Sequence, residues 1–118
     1  MHNILIVDDD KSIRGIYEKL FSSMGFNVHI AGDGQEAVHY LMKDDVKLVL
    51  LDIKMPGVDG ITMFEVIKYD YPRVKVIVFS VYPIELQKKL MPKAIDYHDK
   101  SEGPLKLLDK VSNVLAVV

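Results

Sequence analysis

The stretch Leu48-Val-Leu-Leu-Asp-Ile-Lys-Met-Pro-Gly-Val-Asp-Gly60 decides the fold. Its first four residues are apolar without alternation, the pattern of a strand covered on both faces within a parallel sheet. The strand runs straight into a carboxylate, Asp52. Pro56 cannot continue a central strand, and glycines at 57 and 60 suit a turn, so Met55–Gly60 is read as a loop. Asp52 therefore falls at the carboxyl end of a central strand, where open α/β sheets bind ligands.

The flanking sequence repeats the pattern. Ile4–Val7 is a short apolar strand ending at Asp8-Asp9-Asp10. From Lys11 the period becomes helical: Ile13, Ile16, Tyr17, Leu20, Phe21 and Met24 share one stripe, with Asp10 or Asp9 as N-cap and Gly25 as the terminating glycine. Phe26–Ala31 reads as a strand, and Glu36–Lys43 as a helix burying Ala37, Val38 and Leu41. Val46–Leu51 is the central strand, followed by a helix over Ile61–Tyr69 with Met63, Phe64 and Ile67 inward. Val74–Phe79 is a fourth strand, and Pro83 opens a helix through Leu90. Ala94–His98 is a polar strand suited to a sheet edge. Pro104 opens a last helix with Leu105, Leu108, Val111, Leu115 and Val118 inward.

Strands alternating with helices at short spacing imply a parallel sheet with right-handed crossovers and helices on both faces. For five strands the expectation is the flavodoxin-like doubly wound (βα)5 order 2-1-3-4-5. The whole chain, 1–118, is then one domain. Side chains gathered at the strand ends are Asp8, Asp9, Asp52, Ser80 and Lys100.

Composition narrows the possibilities further. Hydrophobic residues make up 49% of the chain and charged residues 27%, a globular balance. No apolar run approaches the roughly 20 residues of a membrane span, and the absence of cysteine excludes disulfides and thiolate metal sites, fitting a cytoplasmic location. A net charge of −2 gives no electrostatic case for nucleic acid or an anionic membrane. The front half is the more acidic: residues 1–59 carry 6 basic and 10 acidic groups, against 9 and 7 in residues 60–118. That suits a cation better than a polyanion.

Three carboxylates within a few ångströms cannot all stay ionised without a counter-charge. Oxygen ligands without His or Cys select a hard cation, Mg²⁺ or Mn²⁺. A carboxylate beside a divalent ion, an ammonium and a hydroxyl makes a site for phosphoryl transfer to the carboxylate oxygen. Acidic strand ends are often only helix caps or solvated loop residues. The coincidence of Asp9, Asp52 and Lys100 argues against that for the group, whereas Ser80 can equally satisfy a backbone group and Asp10 reads as a cap.

Ile4-Leu-Ile-Val-Asp-Asp-Asp-Lys-Ser-Ile-Arg14 and Leu50-Leu-Asp-Ile-Lys-Met-Pro-Gly-Val-Asp-Gly60 resemble the receiver domain of two-component response regulators. The resemblance covers the whole chain and implies a stand-alone phosphoaspartate switch, with no output domain after the last helix. By that resemblance Asp52 is the phosphoacceptor, charged from a sensor histidine kinase or a histidine phosphotransfer protein. Asp8, Asp9, Asp52 and the backbone carbonyl of Lys54 are the metal ligands, and Ser80 and Lys100 stabilise the phosphoryl group. Ser80 and Tyr97 are the switch pair, although Tyr97 can also be a static edge aromatic. Ile13, by default a core residue, is a docking position for the kinase partner. The face of strand four, helix four, strand five and helix five then controls a downstream protein target. The chain is expected to be a monomer or weak dimer and to catalyse only its own phosphorylation and dephosphorylation.

The sequence departs from that pattern at three places. Ser101 stands where the family usually has a proline after a cis bond, Lys93 where it has a glycine, and Val81 where it has a small residue. Val81 and Tyr82 are expected to narrow access to Asp52 and slow loss of the phosphoryl group. A haloacid-dehalogenase-type phosphatase would want a second aspartate two residues after the first, where Lys54 stands. A receiver degenerated to a binding module would not need all five site groups. Gly32-Asp-Gly-Gln-Glu-Ala37 fits a dinucleotide-binding pattern but follows an edge strand, so no such role is assigned. His2, His29, His39 and His98 have no ligand spacing, and Lys88, Lys89 and Lys93 read as a solvated helix face.

Overall fold

A computed structural model describes residues 2–54 and 59–115. The loop residues 55–58 and the inward position assigned to Val118 lie outside the described residues. The strands are β1 (Asn3–Val7), β2 (Asn27–Ala31), β3 (Val46–Leu51), β4 (Lys75–Ser80) and β5 (Asp96–Asp99). The helices are α1 (Lys11–Ser23), α2 (Gly34–Lys43), α3 (Gly60–Asp70), α4 (Ile84–Leu90) and α5 (Pro104–Leu115), with a 3-10 turn at Lys100–Glu102. Every pairing is parallel, in the order β2-β1-β3-β4-β5. This is the flavodoxin-like architecture that the alternation of elements predicts.

From Leu48 onward in β3, and along β1 and β4, side chains alternate between two cores, because successive residues of a strand point to opposite faces. Leu5, Val7, Val49, Leu51, Val76 and Val78 pack with Ala37, Leu41, Met63, Phe64 and Ile67 of α2 and α3. Ile4, Ile6, Leu48, Leu50, Ile77 and Phe79 pack with Tyr17, Phe21, Leu107 and Val111 of α1 and α5. Aromatic edges lock the second core: Tyr17 meets Phe79 at 5.5 Å between centroids, and Phe21 meets Phe26 at 6.1 Å. Continuous apolar runs in β1, β3 and β4 are what a two-sided sheet requires.

Two helices sit differently from their predicted stripes. On α1, Tyr17 and Phe21 are buried, but Ile16 is 55% exposed and Met24 57% exposed. Ile16 lies about 100° around the axis from Tyr17, and Met24 is the C-cap, beyond the last turn. On α5, Leu105 is 70% exposed and Leu107 takes the buried place beside Val111. These two leucines lie about 200° apart around the helix, so an apolar stripe drawn through Leu105 and Leu108 is centred too far to one side. Pro83 is the N-cap of α4 instead of its first residue, and β5 begins at Asp96 instead of Ala94. Gly25, at φ +92°, ends α1 as expected.

Gly60 fixes the return of the chain from β3 to α3. Its N–H donates to Ile53 O at 2.9 Å. A Cβ at this position would fall 2.1 Å from Asp52 O and 2.6 Å from Ile53 Cα, both backbone atoms that cannot step aside. Gly60→Ala is therefore expected to cost at least about 2 kcal/mol of unfolding free energy by overpacking, as urea denaturation will measure. Wild-type stability in that variant would contradict the close approach.

Candidate functional site

The acidic rim follows from the strand register. Val7 of β1 pairs with Leu51 of β3, so the next residues, Asp8 and Asp52, emerge side by side at the carboxyl ends. Asp8 N–H donates to Ala31 O and Asp52 N–H to Val7 O, each at 3.0 Å, which extends the ladder to both aspartates. The carboxylates of Asp8, Asp9 and Asp52 each offer an oxygen within 4.8 Å of the others. Asp8 is fully buried, Asp52 nearly so, and Asp9 exposed.

Each neighbour of this cluster has a traceable cause. Asp10 caps α1, accepting from Ser12 N–H at 2.9 Å and Ile13 N–H at 3.3 Å. Asp8 Oδ1 accepts from Asp10 N–H at 2.9 Å, and Arg14 Nη1 donates to Asp8 O at 2.8 Å. The Lys100 ammonium donates to Asp8 Oδ2 at 2.6 Å and to Asp52 Oδ2 at 3.4 Å. It also sits 4.9 Å from the centroid of the Phe79 ring, a cation–π contact from the core below.

Lys100 arrives there on a trans backbone, since there is no cis peptide bond among the described residues. Where the family's proline would stand, Ser101 donates through both N–H (2.9 Å) and Oγ (2.8 Å) to Asp99 Oδ1. Glu102 Oε1 accepts from Asp99 N–H at 3.0 Å. This reciprocal capping box closes the 3-10 turn. Asp99-Lys-Ser-Glu102 carries the capping signature in plain sequence.

The resulting cavity, about 490 Å³, is lined by Asp8, Asp9, Asp10, Asp52, Lys54, Val81 and Lys100. Val81 stands at the mouth and is 69% exposed. Tyr82, half-buried, packs against the α2–α3 core and is absent from that lining, so only Val81 narrows the approach. Ser80 is fully buried, its Oγ accepts from Tyr82 N–H at 3.2 Å, and it is not among the residues lining the cavity. Tyr97 is half-buried; its hydroxyl donates to Met91 O at 2.6 Å and accepts from Ala94 N–H at 3.3 Å. Ile13 is half-buried on the first turn of α1, packed against the second core. The structure thus brings together Asp8, Asp9, Asp52, Lys54 and Lys100, while Ser80 and Tyr97 are engaged with backbone groups nearby. Gln87, fully buried beneath the β4–α4 connection, is the polar residue that sequence reasoning overlooked. Its only signal is an amide in a short helix.

The electrostatics favour a counter-ion. Burial pushes the Asp52 carboxyl up from its usual 3.8 to about 6, and the Asp8 charge adds to the rise, against the opposing pull of Lys100. Burial alone would lower Lys100, but its hydrogen bond to Asp8 and the charges of Asp52 and Asp8 raise it. Three carboxylates against one ammonium leave negative charge uncompensated, and the donors are all hard oxygens. The residues therefore fit a small divalent cation.

Residues 4–112 match the family described as the response regulator receiver domain. The chain is 32% identical over 117 residues to the transcriptional regulatory protein CpxR of Escherichia coli, covering 98% of this chain and 50% of CpxR. It is 37% identical over 79 residues to sporulation initiation phosphotransferase F of Bacillus subtilis, covering 67% of this chain and 64% of that protein. It thus spans about half the length of the CpxR sequences it matches. Among solved structures it resembles the response regulator TrrA of Thermotoga maritima in complex with Mg²⁺–BeF, with TM-score 0.88, 30% identity, and 98% and 100% of the two chains covered. Vibrio cholerae CheY4 shares the fold, with TM-score 0.90 at 24% identity, covering 98% and 99%. The chain belongs to the response regulator receiver-domain family.

The raised Asp52 value sets a pH dependence. Below about pH 3.8 the group is protonated folded and unfolded alike. Between 3.8 and about 6 the unfolded chain ionises first, so stability falls as pH rises; above about 6 the loss is complete. The full loss corresponds to about 3 kcal/mol as an upper bound. In metal-free buffer Asp52→Asn is expected to be more stable than wild type at pH 7, by about 1–3 kcal/mol, with the gap closing toward pH 4. Denaturant titrations at both pH values check this, and a variant less stable at pH 7 would contradict it.

Proposed function

We propose that this domain is the Mg²⁺- or Mn²⁺-dependent phosphoacceptor of a two-component or phosphorelay system, with Asp52 as the acceptor. One observation carries the reading: the Asp8, Asp9 and Asp52 carboxylates converge within 4.8 Å with the Lys100 ammonium bonded to two of them. TrrA, 30% identical, was captured with Mg²⁺–BeF, which supports the same ligand class here. The donor is a phosphohistidine on a sensor histidine kinase or phosphotransfer protein. Ile13, beside the site on α1, is the proposed docking position for that partner.

An Asp52 carboxylate oxygen attacks phosphorus as the phosphorus–nitrogen bond of the donor breaks, and the bonding pair leaves on the imidazole, which takes a proton from solvent. Asp8, Asp9, Asp52 and the Lys54 carbonyl would hold the divalent cation, which when bound neutralises phosphoryl oxygens. Lys100, already on Asp52, supplies a second positive charge to the same oxygens. Ser80 Oγ, which accepts from Tyr82 N–H, still has its own proton to donate to the phosphoryl group. Tyr97 then turns from the Met91 carbonyl toward the space beside Ser80, shifting the α4–β5–α5 face that a downstream protein reads. Phosphorylation and its reversal by water are the domain's own chemistry, and Val81 shields the phosphoryl group from that water.

Incubation with acetyl phosphate or phosphoramidate and Mg²⁺, followed by intact mass, tests the reading. A single phosphoryl adduct, absent with EDTA and in Asp52→Asn, is expected. Rapid multiple turnover of the donor with no stable adduct would instead identify a phosphatase, and neither adduct nor turnover would leave a binding module.

A further inference from the structure

Among the described residues five polar or charged ones are buried: Asp8, Asp52, Ser80, Gln87 and His98. The first three belong to the rim and the β4 end; the last two touch each other beneath that end. Gln87 Nε2 donates to Tyr82 O at 2.7 Å, to His98 O at 2.9 Å and to Ser80 O at 3.4 Å. An amide nitrogen carries two protons, so Tyr82 and His98 hold the two good bonds and Ser80 shares weakly. The reverse orientation would aim an amide oxygen at three carbonyl oxygens, which settles which atom faces them.

Gln87 is also the one fully buried residue within α4, a seven-residue helix whose cap, Pro83, contributes no side-chain hydrogen bond. Half-buried Leu90 and the buried Met91 just past its end join the first core. The helix is therefore placed by directional bonds more than by packing. The polar path continues beyond His98. Lys110 Nζ on α5 lies 3.3 Å from His98 Nδ1 and donates to Tyr97 O at 2.7 Å and Glu102 Oε1 at 3.0 Å. Glu102 in turn holds Asp99 N–H in the turn that carries Lys100.

We infer that Gln87 is a positioning residue that clasps the β4–α4 connection to β5, so that displacement of Ser80–Tyr82 is passed to α4 and, through Lys110, to α5. The inference rests on the phosphoacceptor reading of Asp52. Moving the Ser80 segment toward a phosphoryl group requires the amide to redistribute its two protons among three carbonyls. That redistribution gives α4 two defined positions instead of a continuous range. Lys110 couples the β5 end of the path to α5 in the same way.

Hydrogen exchange of the full chain, with and without beryllofluoride and Mg²⁺, tests this, with ¹⁹F NMR reporting adduct formation separately. In wild type the adduct forms and exchange changes several-fold over residues 84–91 and 105–115. In Gln87→Met, which keeps length and loses the donors, the adduct still forms but residues 84–91 exchange alike with and without it. In Lys110→Met residues 84–91 still respond while residues 105–115 do not. A Gln87→Met protein whose α4 responds as in wild type overturns the clasp. Should Gln87→Met fail to fold by thermal melting, a wild-type α5 response in Lys110→Met overturns the relay. No ¹⁹F adduct in wild type removes the phosphoacceptor reading, and the relay with it.

Discussion

The structure turns on one ammonium group. Asp8 and Asp52 emerge from adjacent strands with their carboxylates nearly or wholly removed from water, and like charges so placed repel. Lys100 Nζ answers both, at 2.6 and 3.4 Å. Its own charge is held by Asp8, by Asp52 and by the face of Phe79. Removing one member of a buried ion pair generally costs about 3–5 kcal/mol, because the other is left uncompensated. The Lys100–Asp8 pair thus holds the rim together in the resting molecule, and on the proposed reading the same ammonium meets a phosphoryl group on Asp52. Under the proposed function, a phosphoryl group with oxygens of its own would compete for the same ammonium and so turn local chemistry into movement.

Several remote features exist to keep that ammonium in place. The β4–β5 register sets Ser80 opposite Asp99, so Lys100 leaves the sheet at the height of the acidic rim. The capping box of Asp99, Ser101 and Glu102 then folds the turn without proline. The departure at Ser101 is therefore a substitution of means, hydrogen bonds in place of a ring. Lys93 is the second departure. It adopts φ +75° in the left-handed region where a glycine is strain-free, which keeps the turn before β5 in shape at some local strain.

The fold was legible because its signals are collective. Uninterrupted apolar runs at Ile4–Val7, Leu48–Leu51 and Val76–Phe79 can only be two-sided strands, and each ends on a polar group at one height. The convergence of Asp8, Asp9, Asp52 and Lys100 follows from that order alone. What sequence could not supply is direction. Leu105 and Leu107 are both leucines near the start of α5, and only docking against the second core selects Leu107 for burial. Ser80 sits at the predicted height, yet its hydroxyl answers Tyr82 N–H, a choice made by the turn. Gln87 gave no warning because one amide in an amphipathic helix is ordinarily a solvated residue. Its burial depends on three carbonyls brought together from two strands and a loop.

A manganese titration tests most directly whether the three acids, with the Lys54 carbonyl, hold a divalent cation as proposed. Water-proton relaxation measured as Mn²⁺ is added to the full chain should report one saturable site per molecule that Mg²⁺ displaces. Asp9→Ala alters an exposed side chain and leaves the core untouched, so it should fold normally while losing that site. Equal Mn²⁺ binding in wild type and Asp9→Ala, or no saturable binding in wild type, would contradict the account.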